Sequence, residues 1–149
     1  MANLDRAREL GGREHGLAVV VTARADASNQ ASVVNAGVLD HPVGGGPVVG
    51  FVVRGGTVKH SNLRRRARAT VVFRTGWEWV AVEGSTDLAG PDDPLDGLEP
   101  DAVSRLLRDV FTAAGGTHDD WNEYDRAMAA ERRCVVLVRP ERVYSNPGS

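Results

Sequence analysis

The segment Arg54-Gly55-Gly56-Thr57-Val58-Lys59-His60-Ser61-Asn62-Leu63 carries the residue types best suited to chemistry. Lys59 is the sole lysine of a chain whose other cationic side chains are arginine. Where arginine is the default cation, a lysine marks a place that wants a compact point charge rather than a planar fork. The apolar run 47–53 leads into two glycines, and Thr57 is placed to cap a short helix reaching Arg66. Cations at a helix N-terminus oppose the macrodipole, so Arg54 and Lys59 are unfavourable there by themselves. A bound phosphate reverses the sign, because it meets backbone N–H groups and cations together. The spacing matches neither a Walker nor a dinucleotide fingerprint. A surface lysine on a turn therefore stands beside the phosphate reading.

Other constellations carry less. Trp77 and Trp79, one residue apart, share a face if both lie on a strand. They then form either a core or subunit-contact pair or an apolar wall for a planar ring. Asn35 interrupts the apolar run Ser32-Val33-Val34-Asn35-Ala36-Gly37, where a buried amide must bond to backbone or face a ligand. Cys134 opens the apolar run Cys134-Val-Val-Leu-Val138 and reads as a small core residue, not a nucleophile. The histidines at 15, 41, 60 and 118 show no paired ligand spacing, so no metal site is expected. No Gly-x-Ser-x-Gly elbow is present, and no catalytic side chain is nominated. The run Arg64-Arg65-Arg66-Ala67-Arg68 lacks the interleaved aromatics of a single-strand binder and reads as a solvated helix end.

The elements that must position these residues follow from pattern. A length of 149 residues suits one domain, 1–149, with one core. Hydrophobic content of 42% and charged content of 26% exclude disorder. A formal net charge of −2 argues against nucleic-acid partners. No stretch is apolar enough for a bilayer and no signal peptide is evident, so a cytoplasmic protein without membrane partners is expected. Helix is predicted over Leu4–Leu10, stopped by Gly11-Gly12. Strands are predicted over Leu17–Arg24, Gln30–Leu39, Pro47–Arg54, Ala69–Arg74, Trp77–Thr86 and Val135–Val138, with Arg142–Tyr144 along an edge. Val103, Leu106, Leu107, Val110 and Phe111 form the stripe of an amphipathic helix after Pro100. A second helix with Trp121, Tyr124 and Met128 follows a Thr117/Asp120 capping pattern. Strands dominate and the helices come late, which points to an antiparallel barrel of the α+β class.

Taken in order, the chain resembles the split β-barrel flavin and deazaflavin proteins, the pyridoxamine 5′-phosphate oxidase-like superfamily. Within it the chain is most similar to the actinobacterial branch of F(420)-dependent enzymes. The carriers are Val34-Asn35; Lys59-His-Ser-Asn62-Leu63-Arg64-Arg65 followed by Ala67-Arg68-Ala69; Gly76-Trp77-Glu-Trp79-Val-Ala-Val-Glu83-Gly84; and Asp120-Trp121-x-x-Tyr124-x-x-Ala127-Met128, then Arg132-Arg133 and Val143-Tyr144. The resemblance implies an FMN-binding split barrel with short flanking helices. It implies a homodimer with two cofactor sites at the subunit interface. It implies that Lys59 meets the cofactor phosphate, that Asn35 lies near the ring or ribityl chain, and that the strand of Trp77 and Trp79 borders the pocket, as an option from the partner subunit. Relatives often carry arginine two positions before the lysine, where this chain has Thr57. Arg54 is the neighbouring cation that can replace it, and Thr57 offers a hydroxyl. The implied cofactor is F(420), with FMN as the alternative because both bear a phosphorylated ribityl arm. Arg64, Arg65 and Arg66 are candidate partners for the acidic tail of the deazaflavin. The implied activity is hydride transfer to a small unsaturated or quinone-like substrate, the alternatives being an FMN-binding oxidase-like protein or a carrier without turnover. His60 and Tyr124 are the side chains weighed as proton donors, with solvent as the third option.

Overall fold

Runs of β-branched residues broken by turn chemistry build most of the molecule. The computed structural model describes residues 3–146. Its elements are α1 (Asp5–Arg13), β1 (Leu17–Ala23), β2 (Asn29–Asp40), β3 (Pro47–Val53), α2 (Val58–Arg65), β4 (Arg68–Thr75), β5 (Glu78–Ala89), α3 (Val103–Ala113) after one 3-10 turn at Pro100–Ala102, α4 (Trp121–Ala130), β6 (Cys134–Val138) and β7 (Arg142–Ser145). All strand pairs are antiparallel. The order β4-β1-β2-β3-β6-β5 closes on itself through β4–β5, giving a six-stranded barrel with β7 along the edge of β5.

Two long strands split the barrel into halves. β2 pairs with β1 through Asn35 and with β3 from Ala36. β5 pairs with β4 through Ser85 and with β6 from Thr86. Gly37 and Gly84 sit at these crossings. A Cβ on Gly37 would stand 2.2 Å from the Ala113 carbonyl carbon, and one on Gly84 would stand 1.9 Å from the Arg139 carbonyl oxygen. Only glycine allows backbones to approach so closely.

The apolar residues sort into two clusters. One fills the barrel, with Val20, Phe51, Val71, Phe73, Val82 and Val136 from the strands and Ala7 and Leu10 of α1, with Leu4 just before it, packed among them. The other lies outside, where Leu106, Leu107 and Val110 of α3 and Tyr124 of α4 cover Val48, Val135 and Leu137. β6 is therefore buried at every position, as a continuous apolar run requires.

Three local expectations are corrected. α1 does not stop at Gly11-Gly12 but runs to Arg13. Gly11 faces Phe73, whose ring a Cβ would meet at 3.2 Å, and this packing outweighs a glycine helix cost of about 1 kcal/mol. β5 begins at Glu78, not Trp77. Thr75 pairs with Glu78 around a two-residue turn, Gly76-Trp77, with Gly76 at φ 60°, the conformation glycine favours at the first position of a tight hairpin. α4 is capped by Asp120 rather than Thr117: Asp120 Oδ1 accepts from the N–H groups of Asn122 and Glu123. No described helix is long and apolar enough to cross a membrane.

Candidate cofactor site

Lys59 projects from the first turn of α2, and the local sequence explains how that turn is held. Thr57 is the N-cap, its Oγ1 accepting from the His60 N–H and donating to the Arg54 carbonyl oxygen at 2.9 Å. The Gly56 N–H donates to His60 Nδ1 at 3.3 Å, so the ring proton sits on Nε2 and bonds Asp93 Oδ2 at 2.6 Å. Asp93 is also gripped by the fork of Arg64, at 2.8 and 2.9 Å. These partners, Arg64 first, hold the Asp93 carboxyl below its ordinary value. The donor atoms of His60, Asp93 and Cys134 lie within 4.8 Å of one another. Burial pushes the Cys134 thiol up to about 12, as an inert core thiol requires.

Above this brace lies a pocket of about 390 Å³ that brings Lys59 together with Asn35. Val33 and Val52 line it from β2 and β3, and Phe111, Tyr124 and Met128 from α3 and α4. Arg133, at the entrance to β6, completes it, and no acidic residue is part of the lining. Lys59 is half-buried and has no hydrogen bond or ion pair among the described residues. Burial, and then the Arg133 guanidinium, hold its ammonium below the usual lysine range. Arg133 spends Nε on Glu131 outside the lining, but Lys59 has no carboxylate partner and feels the guanidinium across the cavity, so a bound anion relieves the ammonium and meets the free edge of Arg133.

The remaining expected residues divide. Asn35 is not the buried amide of a strand interior. Its side chain is exposed at the pocket mouth, where Nδ2 donates to the His15 carbonyl oxygen at 3.0 Å. Arg54 and Thr57 frame the α2 turn but do not line the pocket. Trp77 is 93% exposed at its hairpin tip. Trp79 is half-buried on β5 and packs edge-on against Tyr144, ring centroids 6.0 Å apart. Neither tryptophan reaches the pocket of its own chain. Both ring nitrogens of His60 are engaged and the residue is 1% exposed, which removes it as a proton donor. The Tyr124 hydroxyl donates to the Leu107 carbonyl oxygen at 3.1 Å. Arg64 grips Asp93 with its fork while its side chain remains exposed to solvent. Sequence reasoning gave no role to Arg133, the cation that shares the pocket with Lys59. Its signal, one arginine of a pair before an apolar strand, is common.

The mouth opens onto a distinctive surface. Residues paired across five strands, Val33, Val19, Val72, Ala81 and Tyr144, form one row on the outer wall of β2, β1, β4, β5 and β7. Val33 is 64% exposed, Val19 40%, and neighbouring Leu17 47%.

No protein-family model matches the chain. Solved structures share its fold. One is a pyridoxamine 5′-phosphate oxidase-related, FMN-binding protein from Nostoc punctiforme (13% identity, 97% of this chain and 84% of that one, TM-score 0.65). The chain is a split β-barrel. An F(420) reductase has the same fold (14% identity, 86% and 88% covered, TM-score 0.57). So does a haem storage protein from Vibrio cholerae (9% identity, 96% and 94% covered, TM-score 0.56). At these identities the likeness is one of architecture, and function must be argued from the site. In this split barrel the site consists of a desolvated ammonium, a guanidinium and an apolar wall of modest volume.

Proposed function

We propose that the protein is an F(420)-binding oxidoreductase that reduces a small unsaturated or quinone-like substrate as a homodimer. The observation that carries this reading is the pairing of Lys59 with Arg133 in a pocket without acidic lining. That donor set fits a phosphorylated, flavin-like molecule, whose phosphate takes Lys59 while its ring lies against apolar side chains. Bound in reduced form, a deazaflavin supplies a hydride. The protein's part is placement and exclusion of water: the His60–Asp93–Arg64 brace fixes the α2 turn that carries Lys59, and Phe111, Tyr124 and Met128 keep the wall dry. No side chain needs to act as a nucleophile, and solvent is the proton source consistent with the engaged His60 ring.

The exposed end of that row, Val33 and Val19, supports the dimer. A second copy of the chain seated there would cover Val19 and Val33 and bring its own Trp77 or Trp79 towards the pocket mouth, where Val33 belongs to both surfaces. Arg54 and Thr57 then act as outer contacts for the phosphate or tail, and Asn35 Oδ1 as the acceptor for the ring or ribityl chain. FMN presents the same phosphate arm, so an FMN-dependent protein is the second reading, in keeping with an FMN-binding protein among the structures of like fold.

Titration of the purified protein with F(420) and with FMN, followed by tryptophan fluorescence, tests both. Saturable quenching by F(420) without an FMN effect is expected, and quenching by FMN alone selects the second reading. Turnover of enones and quinones with reduced F(420) separates an enzyme from a carrier.

A further inference from the structure

Behind the Lys59 pocket lies a second chamber that the cofactor reading leaves unused. Its volume is about 290 Å³, and it shares only Met128 and Arg133 with the first. Leu107 and Val103 of α3 line one side, and Leu95 and Leu98 of the segment before α3 line another. The lining is predominantly apolar, with two charged side chains, Asp125 and Arg133. Both Asp125 oxygens are held by the fork of Arg108, which keeps that carboxyl below its ordinary value. Arg133 is half-buried and spends Nε on Glu131 Oε1 at 3.0 Å. Its two terminal nitrogens have no protein acceptor among the described residues. The chamber is thus apolar on most sides, neutralised at its one acid, and left with the terminal guanidinium nitrogens of Arg133 unpaired among the described residues.

We propose that this chamber binds a small aromatic carboxylate, its ring among Leu98, Leu107 and Met128 and its anion on the terminal nitrogens of Arg133. The size agrees. An apolar cavity of about 150 Å³ accepts benzene, so roughly twice that volume suits a fused two-ring body. The charge agrees as well, since a guanidinium edge matches a carboxylate through two parallel hydrogen bonds. The site does not depend on the identity of the cofactor. Because Arg133 borders both pockets, an occupant here sits one side chain away from whatever Lys59 holds.

The chain contains two methionines, so methyl-labelled methionine gives a direct reporter in Met128. Full-length protein is titrated with 2-naphthoate, and with neutral 2-naphthamide as control, by NMR and calorimetry. Saturable shifting of the Met128 methyl signal by naphthoate is expected. The amide, and the variant Arg133→Gln, should each bind at least about tenfold more weakly, as loss of a charge-assisted contact predicts. Leu98→Trp, which fills the chamber without touching the Lys59 pocket, should abolish binding. Ser104→Phe blocks the same space from the exposed rim of α3 and replaces Leu98→Trp if that variant misfolds. Lys59→Ala should weaken naphthoate binding less than Arg133→Gln does, since Lys59 lies outside the chamber and reaches the anion only through space. Absence of a saturable shift at millimolar naphthoate overturns the proposal. So does binding that survives both blocking variants, or binding that Lys59→Ala removes, which would locate the ligand in the first pocket.

Discussion

The two outer walls of the barrel are built from similar strands and meet opposite fates. On β3 and β6 the outward residues Val48, Val135 and Leu137 are covered by α3 and α4 of the same chain. On β1 and β2 the outward residues Leu17, Val19 and Val33 have no such cover and stand 40–64% exposed. The Lys59 pocket lies where the two walls meet, taking Val33 from the bare side and Phe111, Tyr124 and Met128 from the covered one. A covered apolar wall stabilises the fold, whereas an uncovered one is available for association. A site at their boundary can draw on both, with rigid walls behind and, in the proposed dimer, a partner in front.

The comparison can be broken most strongly from the covered side. Leu107→Ala removes a side chain that is 5% exposed at the centre of the α3 contact. It should cost about 2–5 kcal/mol in denaturant unfolding. A cost near zero would mean that the helices contribute little to the second core.

The bare side should respond differently. Val19→Arg places a charge in the middle of the cross-strand row. It should leave protomer stability within about 0.5 kcal/mol while converting the proposed dimer to monomer in sedimentation analysis. A Val19→Arg protein that remains dimeric would mean that association uses another surface.

Acid sharpens the contrast further. Asp93 ties α2 to the segment leading into α3, and its folded pKa lies below the ordinary 3.8. A carboxylate depressed in this way contributes stability that is fully present above about pH 4 and is lost as pH falls through the folded value. Asp93→Asn should therefore remove about 1–3 kcal/mol at neutral pH and flatten the loss of stability below pH 4. The row Val33, Val19, Val72 and Ala81 contains no carboxylate to protonate. An Asp93→Asn protein with an unchanged acid limb would show that other carboxylates govern it.

Much of the covered wall was legible from the sequence. Cys134-Val-Val-Leu-Val138 is apolar at every position because both of its faces are buried, and the 103–111 stripe is helical because only one face of that helix meets the barrel. The bare wall was harder to see. Leu17 and Val19 have the same β-branched or aliphatic character as buried strand residues, and only the closed barrel shows which alternate positions lack a helix above them. Trp77 was placed on a strand face because alternation carries no information about where a hairpin turns. The tightness of the Gly76-Trp77 turn, with Thr75 paired to Glu78, starts β5 one residue later than the pattern indicated. Lys59 stood out as the lone lysine. Arg133 did not, because its approach to Lys59 depends on the β3–β6 pairing and on the packing of α4, neither of which leaves a local mark. Asn35 stands out by its polarity within an apolar run, yet its bond to the His15 carbonyl depends on the turn after α1, where His15 is left-handed at φ 57° and the Gly16 N–H closes onto the Gly11 carbonyl oxygen.

The most direct test of the account is the dissociation constant of F(420) for the wild-type protein against Lys59→Ala, measured at equal protein concentration and fixed salt. The variant should bind about 1–3 kcal/mol more weakly, roughly fivefold to more than a hundredfold, if the ammonium meets a phosphate in a partly desolvated pocket. An unchanged constant would contradict the assignment of this pocket to a phosphorylated cofactor.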